Sequence, residues 1–273
     1  MKPSNLYQNF RTFEKFAKNH DYDYDYANLR HIPFIRPTTL LPISFFMDSI
    51  GITKYFPNQN TKNYLRGVFG IKDNKPTTIP IRYLPKNITD RSKFEIVDEI
   101  RDLVQTDIYS EAFDYLASEA INNIAEHSKF RNAQMFAQKY PQDGFTDVCF
   151  MDDGIGIPKS LKNSNYIYEN DAEYIFQALN GLSSDINKDR IRGSGLNSTL
   201  RVVSEVFDGE LLIASREGLV HKSHRGIMLK KLKDVYIGGT LVSLRVMEKS
   251  GKHKVGKFSS YKEVKKTTNL YNK

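Results

Sequence analysis

At 273 residues the chain has room for one large or two modest domains with buried cores, and its net charge of +8 raises the question of an acidic partner. A single cysteine, Cys149, excludes a disulfide framework and a cysteine-built metal site, and points to a reducing compartment. No apolar run of about eighteen residues occurs, and Met1-Lys2-Pro3-Ser4 does not open a signal peptide, so a cytoplasmic protein without a membrane span is expected.

The charge is unevenly spread. Eight lysines from Lys249 to Lys273 stand against Glu263 alone, so residues 1–248 are close to neutral. A nucleic-acid partner is therefore not expected apart from this basic tail, which reads as a solvated terminus.

Residues 1–30, including the Asp-Tyr run from Asp21 to Tyr26, give no domain signal. From His31 the chain turns apolar, and Leu40, Leu41, Ile43, Phe45, Phe46, Met47 and Ile50 suit a buried helix capped by Thr38 or Thr39, with Pro42 near its first turn. Ile79–Tyr83 reads as a strand and Phe94–Val104 as a helix, so residues 31–104 are expected to form a small α/β domain. Phe113, Leu116, Ala117, Ala120, Ile121 and Ile124 recur at helical spacing between Glu111 and His127. Val148–Met151 is an unbroken apolar run, as in a strand covered on both faces. A short helix is expected from Asp171 to Asn180, stopped by Gly181. A longer one is marked by Leu196, Leu200, Val203 and Phe207, and ends at Asp208-Gly209. Leu211–Ala214 and Gly239–Val246 alternate like strands, so residues 105–248 read as a mixed sheet with helices on one side.

Four segments in this second half carry chemistry. On the first helix Glu119, Asn123 and Glu126 fall at i, i+4 and i+7, on one face. An amide oxygen beside a carboxylate suits a hard cation, with Asn123 as a magnesium ligand and Glu119 holding or activating a water. Asp152-Asp153-Gly154-Ile155-Gly156 follows the apolar strand, where a carboxylate can accept a hydrogen bond from an exocyclic amine while Gly154 and Gly156 let backbone approach a flat base. Gly193-Ser194-Gly195 precedes a helix, as a phosphate-binding turn would. Gly238-Gly239-Thr240 opens the last strand. Taken singly, the stripe could be a solvated helix face and the loop an ordinary glycine turn. No Walker pattern and no early G-x-G-x-x-G is present, which argues against P-loop and Rossmann sites.

The set resembles the GHKL ATPases, which group gyrase, heat-shock chaperone, histidine-kinase and MutL nucleotide domains. The segment Ser118–His127 is most similar to standalone anti-sigma-factor kinases and related regulators. The resemblance covers about residues 105–248, and the intervals agree with it: 33 residues from Glu119 to Asp152, 41 from Asp152 to Gly193 and 45 from Gly195 to Thr240. It implies a Bergerat-type two-layer α/β sandwich that binds ATP with Mg²⁺. Glu119 would be catalytic and Asn123 the metal ligand. Asp152, with Gly154 and Gly156, would read adenine. Arg192, Gly193 and Gly195 would border the phosphates, and Thr240 would lie near the base. Asn197-Ser198 departs from the family, where many members continue with glycine and an aliphatic residue.

Residues 159–192 correspond to the family's mobile ATP lid, with Lys188, Arg190 and Arg192 as candidates to meet phosphate. His31 to about Val104 resembles a STAS-like domain in its pattern of elements. The resemblance further implies a signalling protein with a protein partner, of the STAS type or another regulator, and leaves a homodimer open. Two functions follow: an ATP-dependent regulator that hydrolyses ATP or phosphorylates a serine or threonine of a partner, or a nucleotide-sensing module without significant catalysis. A sensor histidine kinase and a DNA-repair ATPase rank below both.

Overall fold

The computed structural model describes residues 4–20, 24–70, 77–104, 110–182 and 195–248. The basic tail lies outside them. In chain order the elements are α1 (Leu6–Lys18), β1 (Tyr26–Leu29), α2 (Pro37–Ser49), β2 (Lys54–Pro57), α3 (Gln59–Val68), β3 (Thr78–Tyr83), α4 (Asp90–Val104) and α5 (Ser110–Asn123). They continue with β4 (Ala133–Tyr140), β5 (Phe145–Asp152), α6 (Ile157–Lys162), α7 (Asp171–Leu179), α8 (Gly195–Arg201), β6 (Glu210–Arg216), β7 (Gly218–Ser223), β8 (Gly226–Lys231) and β9 (Ile237–Met247).

The fold is of the α/β class, built on a seven-stranded sheet in the order β3-β4-β5-β9-β6-β7-β8. Every pairing in this sheet is antiparallel, where a mixed sheet was expected; the one parallel pair is the separate β1–β2 ribbon. The helices also cover both faces rather than one. On β5, Val148 and Phe150 face a core filled by Val97 and Ile100 of α4, Phe113, Leu116 and Ile121 of α5, and Val203 and Phe207. Cys149 and Met151, pointing the other way, join Phe10 and Phe13 of α1 with Leu40, Leu41 and Met47 of α2. All eight residues of β5 are buried, which is why its sequence does not alternate.

The N-terminal residues are therefore a layer of this sheet. The described residues of 31–104 join both cores of this sheet: β3 is an edge strand, α2 and α3 fill one face, and α4 packs on the other. Helix α1 gave no domain signal in the sequence, yet Asn5 caps it, accepting from Gln8 N while the Gln8 side chain accepts from Asn5 N. Helix α2 starts at Pro37, whose fixed φ suits a first turn. Thr38 and Thr39, expected as caps, are buried inside it; Thr38 Oγ1 meets Ser243 Oγ of β9 at 2.6 Å and Thr39 Oγ1 donates to Asn9 O at 2.8 Å.

Helices α5 and α8 each run into a π turn, Ile124–Ser128 and Val202–Val206. The longer turn shifts the residues that follow it around the axis. Among the described residues no helix is long and apolar enough to cross a membrane.

The centre of the sheet holds a buried ion pair. Arg245 of β9 lies opposite Asp147 of β5, with Nε–Oδ1 at 2.7 Å and Nη2–Oδ2 at 2.8 Å, and its Nη1 donates to Ser4 O at 2.7 Å. Breaking one partner leaves a bare buried charge, so Arg245→Met should cost about 3–5 kcal/mol in urea unfolding, and Asp147→Leu/Arg245→Met together less than Arg245→Met alone. A double variant as unstable as the sum of the singles would contradict this coupling.

Candidate functional site

Asp152 is the last residue of β5, 2 % exposed, and pairs across the sheet with Thr240 of β9. Its Oδ1 accepts from Gly154 N at 2.8 Å. Burial pushes its carboxyl up to about 7; the Gly154 N–H opposes that rise, the neighbouring Asp153 adds to it, and the Thr240 N–H and Arg216 charge oppose it. The side chain is thus a buried acceptor balanced between its neutral and charged forms near pH 7. Asp153 does different work: its Oδ1 accepts from Arg131 N and Asn132 N at 2.7 and 2.9 Å and fixes the entry into β4.

Glycines pack this loop closely against its neighbours. A Cβ on Gly154 would lie 2.0 Å from Ser128 O, and one on Gly239 would lie 2.2 Å from Asp152 O and 2.6 Å from Asp152 Oδ1. Gly156 has φ +74 and faces Ser215 Oγ. Thr240, half-buried, places Oγ1 3.4 Å from the same hydroxyl. Asp152, Gly154, Gly156 and Thr240 therefore lie together at this end of β5 and β9.

The π turn after α5 links the helix to this loop. Ser128 Oγ donates to Ile124 O at 2.8 Å, Lys129 takes φ 52, and Ser128 O accepts from Ile155 N at 2.7 Å. Glu119 and Asn123 lie in the regular part of α5, and Glu126 falls in the π turn, so the straight-helix face expected for all three holds only for the first two. Glu119 is half-buried; desolvation and then the Glu126 charge raise its carboxyl, and Lys93 of α4, which donates to Asn122 Oδ1 at 3.3 Å, offsets part of the rise. Among the described residues, Asn123 Nδ2 is buried without a hydrogen-bond partner.

Among the described residues no group of three His, Cys, Asp or Glu side chains is arranged to hold a metal. A magnesium ion that takes most ligands from phosphate and water needs only one or two side chains, and the Asn123 amide with the Glu119 carboxylate fits that requirement.

Two residues at the site had no signal in the sequence. Ser215 Oγ donates to Gly239 O at 2.6 Å and accepts from Ile157 N at 3.1 Å. Arg216 reaches Ile155 O with Nε at 3.0 Å and Nη2 at 2.6 Å. Both contacts span about sixty residues, which no local pattern reveals. Asn197, the departure from the family motif, acts locally, where its Nδ2 donates to Leu179 O, the last carbonyl of α7, at 2.9 Å. Gly195 opens α8. Lys188, Arg190, Arg192, Gly193 and the His127 side chain lie outside the described residues, and with them most of the expected phosphate turn.

The glycine packing gives a contrast. Gly239→Ala and Gly154→Ala should each cost about 1–3 kcal/mol or more in thermal unfolding, because the added methyl meets backbone. Gly238→Ala, with nothing within 4 Å of its Cβ, should stay within about 0.5 kcal/mol of the parent. Equal losses at Gly238 and Gly239 would contradict the close approach to Asp152.

Comparison with protein-family models, curated proteins and solved structures gives no match, so the reading of this site rests on its own residues and geometry.

Proposed function

We propose that this chain binds ATP with Mg²⁺ and acts as a regulatory protein of the GHKL kind, hydrolysing ATP or phosphorylating a serine or threonine of a protein partner. The observation that carries the reading is Asp152: a buried carboxylate at a strand end, closed in by Gly154 and Gly239, with half-buried Thr240 beside it. Such an acceptor suits the exocyclic amine of adenine. Helix α5 supports the same reading. Asn123 offers an amide whose Oδ1 could ligate the ion, and Glu119 lies one turn before it on the same helix.

In this proposal Mg²⁺, when bound, offsets phosphate charge. Asn123 would hold it, and Glu119, raised by burial and Glu126, would orient and accept a proton from the attacking hydroxyl. The finer fold assignment, a Bergerat-type sandwich, belongs to the proposal; β4, β5, β9 and β6 under α5 and α8 are the part that suits it, with the layer of α1 and α2 added behind. A cytoplasmic signalling role, with a STAS-type or other regulator as partner or with a homodimer, is part of the same proposal.

Calorimetric titration in Mg²⁺ tests the binding claim: ATP should bind more tightly than GTP, and equal affinities would refute it. Asp152→Asn separates function from stability. The carboxyl titrates near 7 in the folded chain against 3.8 for the free side chain, so its contribution is present at low pH and lost as pH rises through about 7. The variant should therefore unfold later than the parent at pH 8, by on the order of 1–3 kcal/mol, yet bind ATP more weakly. A variant that binds ATP as well as the parent would remove Asp152 from the site.

Asn123→Ala should abolish the Mg²⁺-dependent part of ATP affinity. Glu119→Ala should keep ATP bound and lower γ-phosphate transfer, followed with labelled ATP, by about 10²-fold or more. Unchanged transfer in Glu119→Ala would exclude the catalytic role.

A further inference from the structure

Arg216 sits at an irregularity in the sheet. The β6–β9 register shifts between Ser215, opposite Thr240, and Arg216, opposite Ile237. Arg216 also has φ +57, a left-handed conformation in which a long side chain is strained. A bulge turns a side chain away from its regular direction. Here Nε and Nη2 both reach Ile155 O, and Nη1 donates to the Tyr236 hydroxyl. The guanidinium carbon lies 5.3 Å from the centre of the half-exposed Tyr236 ring, and a Cβ on Gly156 would come within 3.2 Å of Arg216 Nε. No nitrogen of the guanidinium is unused.

We infer that Arg216 is the positioning residue of the glycine loop, holding the turn Gly154–Ile157 against β6 and β9 by its two-point hold on Ile155 O. Nothing in the nucleotide reading assigns this role, although its ligand rests on that reading. Ser215 ties the same turn to Gly239, so the adjacent pair binds both backbones that enclose the carboxyl. Among the described residues, the charged groups that act on Asp152 are Asp153 from its own loop and Arg216 from β6; β9 brings glycine and Thr240, and the π turn brings Ser128 O. Arg131 is directed to Asp153, 3.8 Å from its Oδ2. Arg216 is thus the cation that favours the charged form of Asp152, and in that form the carboxylate is an acceptor only.

A purely structural arginine would affect stability. A positioning one also moves the titration of Asp152. The test follows the Asp152 carboxyl by carbon NMR of aspartate-labelled, nucleotide-free protein from pH 5 to 9, in the parent, Arg216→Gln and Arg216→Lys. Arg216→Gln should raise the midpoint, the direction that follows from removing an opposing cation. Arg216→Lys should keep it close to the parent while faster amide exchange at Ile155–Ile157 reports the lost two-point hold on Ile155 O. In parallel, the pH at which ATP affinity is half-maximal should rise with the carboxyl midpoint in Arg216→Gln and stay in Arg216→Lys. A parent that binds no ATP would refute the nucleotide reading, and the carboxyl titration would still decide the role of Arg216. Should Arg216→Gln not fold, Arg216→Lys decides by exchange at Ile155–Ile157. An unmoved midpoint in folded Arg216→Gln, or parent-like exchange in Arg216→Lys, would overturn the inference.

Discussion

The register between β5 and β9 decides how the rest of the molecule is assembled. Asp147 lies opposite Arg245, and five residues later Asp152 lies opposite Thr240. A slip of one residue would turn one strand over relative to the other and leave the Asp147 carboxylate buried without its guanidinium. The ion pair selects one register more than it adds net stability, since burying both charges costs much of what their attraction returns. The same choice brings Gly239 onto Asp152, and so assembles the candidate site at the far end of the strand pair.

The two ends of this pair point to opposite faces. Asp147 and Arg245 face the layer of α1 and α2, where Ser4 O also meets Arg245 Nη1; Asp152 ends the strand on the side of α5. The N-terminal layer therefore supports the site through the sheet without entering it. From α4 one side chain does approach, since Lys93 reaches Asn122 and offsets the rise in the Glu119 carboxyl. Changes in the first hundred residues can act on the site by these two routes, packing behind the sheet and charge beside α5.

Much of the site was legible because its residues sit at fixed places relative to elements with clear periods. Asp152 follows an apolar run, and Gly154 and Gly156 follow a strand end, so the position of the loop could be read locally. The second helical layer was missed although β5 announced it: Val148–Met151 has no polar alternation, which requires both faces to be covered. Helix α1 was missed because its capping box has Asn5 in place of the usual Ser or Thr, although Gln8 is a usual partner and Leu6, Phe10, Phe13 and Ala17 do repeat at helical spacing. The π turn that moves Glu126 off the straight-helix face has no marker in spacing at all. Ser215 and Arg216 are long-range partners, and the bulge that aims Arg216 depends on how β6 meets β9.

Whether the Asp152 carboxylate reads the amine of a purine can be measured without any knowledge of a partner. The decisive comparison is calorimetric titration, in Mg²⁺ at pH 8, of ATP against the triphosphate of a purine riboside lacking the 6-amino group, with the parent chain and Asp152→Asn. The parent should favour ATP about tenfold or more, and the preference should shrink to near zero in the variant. Equal affinity of the parent for both nucleotides would contradict it.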